Sequence, residues 1–364
     1  MVRSMNELYY VYPMYNKVSF HFIAKNHIEH LRKRIKVQEI DESVLDNILW
    51  VGKKKILLHP IGYTLLGDKI EMFYRRVKRL EKLLSVKERL GGFDTADSNR
   101  ISQPFVDVLN KMDLVIVPSY YAKDTYLYSG VDVPVEVLPH GLPDEFLKSD
   151  KTITNEQIKK ILSLKRKHKA KLVLFNLTHS GYRKGADIVY HAMRKIQNEF
   201  DNVFLVVKRG DGLDPYLGML RKLKMIEVAG YLDYDSFRQL YDVCDICVVP
   251  SRGGGFEHNA LEAIARGVPT IVPNSMCFLD YIQYMIPVEP SKAVKPLPNN
   301  PIHIGYGFEV SYKDLANKIR DVLDNYSKYK RTATRNAKKV RKEYSWSKIC
   351  EILWSYLIEY EFVR

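Results

Sequence analysis

The sequence predicts an α/β protein made of two doubly wound halves in tandem. Short β-prone runs alternate with helix-spaced segments from residue 8 to 138 and again from residue 172 onward, and a polar, lysine-rich stretch at 148–171 separates the two series. At 364 residues the chain exceeds one ordinary core, and its length fits about two domains. Alternation of this kind, with short connections, marks parallel sheets covered by helices on both faces.

In the first series, residues 8–12 form a β-prone run ended by Pro13, and 20–34 place Phe22, Ile23, His27, Ile28 and Leu31 at helical spacing. A strand at 37–40, a helix at 44–51 and a strand at 55–59 continue the alternation. From 68 to 90, Ile70, Phe73, Val77, Leu80 and Leu84 step by three and four, with Lys69, Arg75, Arg76, Lys78, Arg79, Lys82 and Lys87 over the rest. This basic amphipathic helix reads first as a surface helix on the sheet and second as a membrane-surface helix. Gly91-Gly92-Phe93-Asp94 is expected to break it. Residues 105–110 precede a strand at 114–117, Ser119, a helix at 121–129 and a strand at 135–138. Pro139-His140-Gly141-Leu142-Pro143 then turns the chain into a linker or connecting helix.

The second series has strands at 172–177, 203–207 and 227–230, helices from 186 to about 200 and at 234–241, and a loop at 178–185. Residues 246–249 end at Pro250, followed by Gly253-Gly254-Gly255 and an Ala/Leu/Glu segment that stops at Gly267 and Pro269. This is strand, glycine loop and helix. Glycines let backbone approach a ligand, and the positive end of a helix favours an anion, phosphate foremost. Loops 178–185 and 253–256 both follow strands, where open α/β sheets hold ligands. Beyond Tyr281 the pattern weakens through a proline-bearing stretch at 288–301. Helices at 312–326 and 328–344 follow, then a last helix with Trp346, Ile349, Leu353, Trp354, Leu357 and Ile358 on one stripe.

Hydrophobic residues at 46% and charged residues at 27% describe a globular protein. No apolar run approaches the ~20 residues that span a bilayer, and residues 1–15 lack the apolar core of a signal peptide, so a cytoplasmic location is expected. The net charge of +14 calls for an anionic partner: phosphorylated substrate, membrane surface or nucleic acid. Without a helix-turn-helix or a strand face of interleaved aromatic and basic residues, nucleic acid is the unlikely one of the three. Cys244 and Cys247 form a Cys-x-x-Cys in or beside an apolar strand with no second pair to complete a zinc site. With Cys277 and Cys350 they read as buried thiols, with no metal expected.

Several landmarks occur in an order that resembles the retaining GT-B glycosyltransferases of family 4. They are Leu114-Val115-Ile116-Val117-Pro118-Ser119, Val137-Leu138-Pro139-His140-Gly141, Arg183-Lys184-Gly185, residues 207–211, Gly230, residues 245–251, Gly255-Phe256 with Leu261-Glu262-Ala263, Gly267-Val268-Pro269 and Tyr344-Ser345-Trp346. The resemblance covers 105–364 well and the first hundred residues poorly. It implies two Rossmann-like domains facing a cleft: an acceptor domain at 1–150, a donor domain at 168–345 and a C-terminal helix at 346–364 that returns to the first. It also implies metal-independent, retaining transfer of a hexose from a nucleoside diphosphate sugar, with no other cofactor, to a glycan or lipid-linked acceptor. A peripheral contact with an anionic membrane goes with that acceptor. The alternatives are a GT-B enzyme directed at nucleic acid and a non-catalytic sugar-nucleotide or glycan-binding protein.

Loss of a nucleoside diphosphate builds negative charge on the leaving phosphate, which a metal-free site meets with cations and helix amides. Lys184 is the first candidate, with Arg183 and the helix start at Gly254, Gly255, Phe256 and Glu257 in support. The family's pair of glutamates separated by seven residues is half present. Glu262 matches the ribose-binding one, whereas Gly254 stands at the sugar-binding one, so Glu257 is expected to take over from the other end of the loop. Thr178, Arg209 and Tyr231 complete the donor candidates. In the first domain, Asn16-Lys17-Val18-Ser19 replaces the family's glycine pair. His59 and Asp94 are the polar groups there with a candidate catalytic role, each also explicable as a structural or turn-capping group.

Overall fold

In the computed structural model residues 7–67 and 69–364 are described. Residues 1–6, Asp68 and the side chains of Ile70, Phe73, Tyr74 and Arg75 lie outside them. The chain divides into two compact units, one of Met1–Gly141, Leu297–Gly305 and Trp346–Arg364, the other of Leu142–Pro296 and Tyr306–Ser345.

The first unit carries six strands: β1 (Glu7–Tyr12), β2 (Lys36–Asp41), β3 (Lys54–Leu58), β4 (Lys87–Phe93), β5 (Leu114–Val117) and β6 (Val135–Val137). All pair in parallel in the order β2-β1-β3-β4-β5-β6. Parallel strands are covered on both faces, which is why β5 reads Leu-Val-Ile-Val without polar alternation. One face packs under helices Ser19–Leu31 and Trp346–Glu359 through Tyr10, Ile23, Leu57, Trp346 and Leu353. The other packs under Ile70–Val86, Gln103–Leu109 and Tyr120–Tyr128 through Leu83, Phe105 and Tyr126.

The helix expected to run to residue 90 ends at Val86, and the chain enters the central strand β4 directly. Gly91 and Gly92 belong to that strand. A Cβ on Gly92 would lie 2.1 Å from the Leu58 carbonyl oxygen, and one on Gly91 2.5 Å from that of Leu114. Close approach of both neighbouring strands, and not a turn, selects these glycines. The cations of the Ile70–Val86 helix are largely engaged within the unit. Arg76 donates to the Tyr63 carbonyl, Arg79 donates to Thr64 O at 2.7 Å and pairs with Asp46, and Lys82 donates to Asp46 O at 2.9 Å. Instead of a helix at 44–51 there is a short 3-10 turn, Glu42–Asn47, capped by Asp41, which accepts from Ser43 N.

The second unit holds β7 (Lys171–Leu177), β8 (Val203–Arg209), β9 (Met225–Val228), β10 (Ile246–Val248), β11 (Thr270–Pro273) and β12 (Ile286–Val288), parallel in the order β12-β11-β10-β7-β8-β9. The proline-bearing stretch is structured: β13 (Pro290–Val294) pairs antiparallel with β14 (Gly307–Val310). Between them Leu297–Gly305 belongs to the first unit, where Ser102 N donates to Ile302 O at 2.9 Å. The lysine-rich stretch contains helix Glu156–Lys167. Ahead of it, Arg238 and Arg266 share the buried Asp242 and donate to the carbonyls of Lys148, Asp150 and Thr152. All four cysteines are free and buried. Among the described residues no helix is long and apolar enough to cross a membrane.

Candidate functional site

β7 and β10 are neighbours, so the loops after them meet. The β7 loop turns into a short helical segment, Gly181–Lys184, and reverses at Gly185. Gly185 has φ +77°, and a Cβ there would lie 2.4 Å from the Pro250 carbonyl oxygen, so the Lys-Gly pair is fixed by the β10 loop beside it. The β10 loop delivers Gly253 to Glu257 ahead of helix His258–Ala265.

Three predicted residues converge there. Lys184 Nζ donates to both oxygens of Glu257, at 2.8 and 2.6 Å. Arg183 donates to the Gly253 carbonyl at 2.9 Å and lies 3.8 Å from Glu257 Oε1. The Glu257 amide donates to Tyr281 Oη at 3.2 Å, and its side chain is only 2% exposed. A Cβ on Gly254 would stand 2.7 Å from Glu257 Oε1. The carboxylate of Glu257 therefore fills the space that a side chain at 254 would enter, and any such side chain would have to displace it. Phe256 packs edge-on against Tyr281, with ring centroids 5.5 Å apart.

Glu262 sits in the helix that follows, buried, with Tyr241 Oη donating to Oε2 at 2.8 Å. Asn176, at the end of β7, donates to the same Tyr241 oxygen at 3.0 Å. Burial pushes the Glu262 carboxyl up to about 7, against the smaller opposing effect of the tyrosine bond. Thr178 is exposed just beyond β7, and Tyr231 is exposed beyond β9. Arg209, ending β8, pairs with Glu227 at 2.6 Å and donates to Gly210 O at 2.8 Å.

The two candidates of the first unit lie among its own buried groups. His59 Nδ1 is 3.0 Å from Tyr10 Oη, and the ring stacks on Phe93 at 4.8 Å. Desolvation and the neighbouring His27 hold its pKa well below the usual histidine value, so it is neutral. Asp94 Oδ2 accepts from Gly62 N at 2.5 Å and Oδ1 from Thr95 N at 2.7 Å, which fixes the start of the Ile61–Leu65 helix. Burial raises its carboxyl to about 6.

The sequence model described as "Family 4 Glycosyltransferase in conflict systems" matches residues 157–353. The chain belongs to this family. An uncharacterized protein of Sulfolobus islandicus rod-shaped virus 1 is 30% identical over 329 residues, which are 89% of this chain and 90% of that protein. Among solved structures, sucrose-phosphate synthase from Thermosynechococcus elongatus aligns with a TM-score of 0.67 at 16% identity, covering 97% of this chain and 98% of that one. Anabaena Alr3699/HepE in complex with UDP-glucose aligns with a TM-score of 0.64 at 13% identity, covering 97% and 99%. The fold of this family 4 glycosyltransferase is GT-B.

Sequence reasoning missed three residues that organise the candidate site. Tyr241 and Asn176 set the Glu262 carboxyl, but the first reads as part of a helix stripe and the second as a strand end. Arg252, almost fully buried, donates to Asp187 at 2.7 Å and to Tyr182 O at 2.5 Å, and its amide donates to Arg183 O at 2.7 Å. It holds the Gly181–Lys184 segment against the glycine loop. A cation next to the triple glycine was the signal available for it.

Proposed function

We propose that this chain transfers a hexose from a nucleoside diphosphate sugar, with retention of anomeric configuration and without a metal, to a glycan or lipid-linked acceptor. The donor is held by the second unit at Lys184, Arg183, the Gly253–Glu257 loop and Glu262. A cytoplasmic enzyme, with peripheral contact at an anionic membrane, suits a lipid-linked acceptor. The observation that carries the reading is the placement of the Glu257 carboxylate in the space above Gly254, in contact with Lys184. It supports Glu257 as the substitute for the glutamate that position 254 lacks.

The chemistry follows from the charges. Without donor, Lys184 and Glu257 neutralise each other. An arriving diphosphate competes for the lysine, whose ammonium then meets the charge that grows on the leaving phosphate as the anomeric bond breaks. Glu257, released from the lysine, becomes an acceptor for sugar hydroxyls. Glu262, held by Tyr241, is the acceptor for ribose hydroxyls. Catalysis on this reading is mostly positioning and leaving-group stabilisation.

A thermal-shift panel of nucleotide sugars tests the reading, starting with UDP-glucose, because binding raises stability by mass action. No shift with any nucleotide or nucleotide sugar would sink it. Transfer that survives EDTA, and an anomeric product configuration matching that of the donor, check the two finer parts. Glu257→Ala should lose most transfer, and a variant with full rate and donor affinity would remove Glu257 from the site.

A further inference from the structure

The charge of this chain is concentrated. Helix Tyr326–Glu343 holds eight Lys and Arg side chains against one carboxylate, a surplus of seven where the whole chain has +14. Two of these cations are spent inside the unit: Lys330 donates to Gly267 O at 2.7 Å, and Arg341 reaches the carbonyls of Ala337 and Lys148. The other six, Lys328, Arg331, Arg335, Lys338, Lys339 and Lys342, are exposed. They step by three and four along one side of the helix. The side that buries Ala333, Asn336, Ala337 and Val340 is anchored, with Asn336 donating to Tyr284 O at 3.1 Å.

Among the described residues none of the six has a carboxylate within ion-pairing distance. Six pairs of like charges therefore stand three or four residues apart. Like charges at this spacing repel and destabilise the bare helix. A polyanion laid along the stripe would offset this.

We propose that the outer face of helix Tyr326–Glu343 binds the phosphate backbone of a nucleic acid. From residue 328 to 342 the stripe runs about 21 Å at 1.5 Å per residue, the length of about six phosphates of one strand at ~3.4 Å. Ser327, Thr332 and Thr334, also exposed, stand beside the cations and can donate to phosphate oxygens. Interfacial membrane helices set large apolar side chains beside their basic face, whereas no exposed large hydrophobic residue lies in this helix. The missing base-reading motifs bear on sequence-specific readout, which backbone contact does not need.

Fluorescence anisotropy with a random 30-base-pair duplex over a salt series tests this. Neutralising six phosphates gives a log–log salt slope of about −5, and Arg331→Gln/Arg335→Gln/Lys338→Gln/Lys342→Gln should reduce it to about −2 with unchanged or raised melting temperature. Arg335→Gln alone, expected to change the slope by about one, decides the matter if the fourfold variant does not fold. Lys159→Gln/Lys160→Gln, on another basic helix, should leave the slope in place. The proposal is overturned by absence of binding at low salt, by equal loss in the Lys159/Lys160 control, or by capture on phosphatidylglycerol vesicles through the stripe without duplex binding.

Discussion

Replacing Glu262 by Gln should stabilise the protein in proportion to pH. The carboxyl is buried and titrates at about 7, where an unfolded chain would ionise it at 4.5. Below 4.5 it is protonated in both states and costs nothing. As pH rises to 7 the unfolded state releases the proton and the folded state keeps it, so stability falls across that window and stays lower above it. The loss amounts to about 3 kcal/mol. Glutamine has the same shape, never ionises, and its amide oxygen accepts the Tyr241 bond. Glu262→Gln should therefore melt like the parent at pH 4.5 and about 6–12 °C higher at pH 8, on the scaling for domains of 150–250 residues. Circular dichroism melts at the two pH values measure this. An equal shift at both, or no gain at pH 8, would refute the idea that burial of this carboxyl is uncompensated. The same substitution should weaken donor binding, since a hydrogen bond to a charged acceptor is worth about 1.5–3 kcal/mol. A gain in melting temperature with more than tenfold loss of nucleotide-sugar affinity is the signature of a group retained for binding.

Lys184→Ala leaves the Glu257 carboxylate buried without its main cation and should cost about 3 kcal/mol. Adding Glu257→Gln should recover most of that in a denaturant titration, while transfer stays abolished. Gly254→Ala puts a methyl group where Glu257 Oε1 sits 2.7 Å away. It should weaken donor binding at least tenfold by isothermal calorimetry, with a stability loss near 1 kcal/mol because a side-chain end can shift. Gly92→Ala, facing backbone 2.1 Å away, should lose more than about 4 kcal/mol or not accumulate as folded protein. Gly212→Ala, with nothing within 4 Å, should melt within a degree or two of the parent.

Strand–helix alternation was legible because parallel strands covered on both faces must be short apolar runs, as in Leu114–Val117. The misreadings have local causes. Gly91 and Gly92 look like a helix breaker, yet they answer to the Leu58 and Leu114 backbones, which are far away in sequence. The β13–β14 pair is hidden by Pro290 and by a long excursion between its strands. The return of Leu297–Gly305 to the first unit leaves no local mark, since it is decided by Ser102 and Ile101 two hundred residues earlier. In the candidate site, Arg183, Lys184 and Glu257, which the structure brings together, were legible because charged residues beside glycines at strand ends have few structural uses. Tyr241 and Asn176 were not, because their role exists only in the bond they share.

The composition of the first unit from three separate stretches bears on how the protein is made. Tyr10, Leu57 and Phe93 lie on the sheet face that helix Trp346–Glu359 covers. During synthesis that face stays open while all of Leu142–Pro296 and Tyr306–Ser345, the second unit, emerges from the ribosome. The second unit has only the nine residues Leu297–Gly305 interrupting it and can fold first. The unfinished sheet is then the species most prone to aggregate or to engage a chaperone, and truncation after Ser345 should yield insoluble protein even though the second unit is complete.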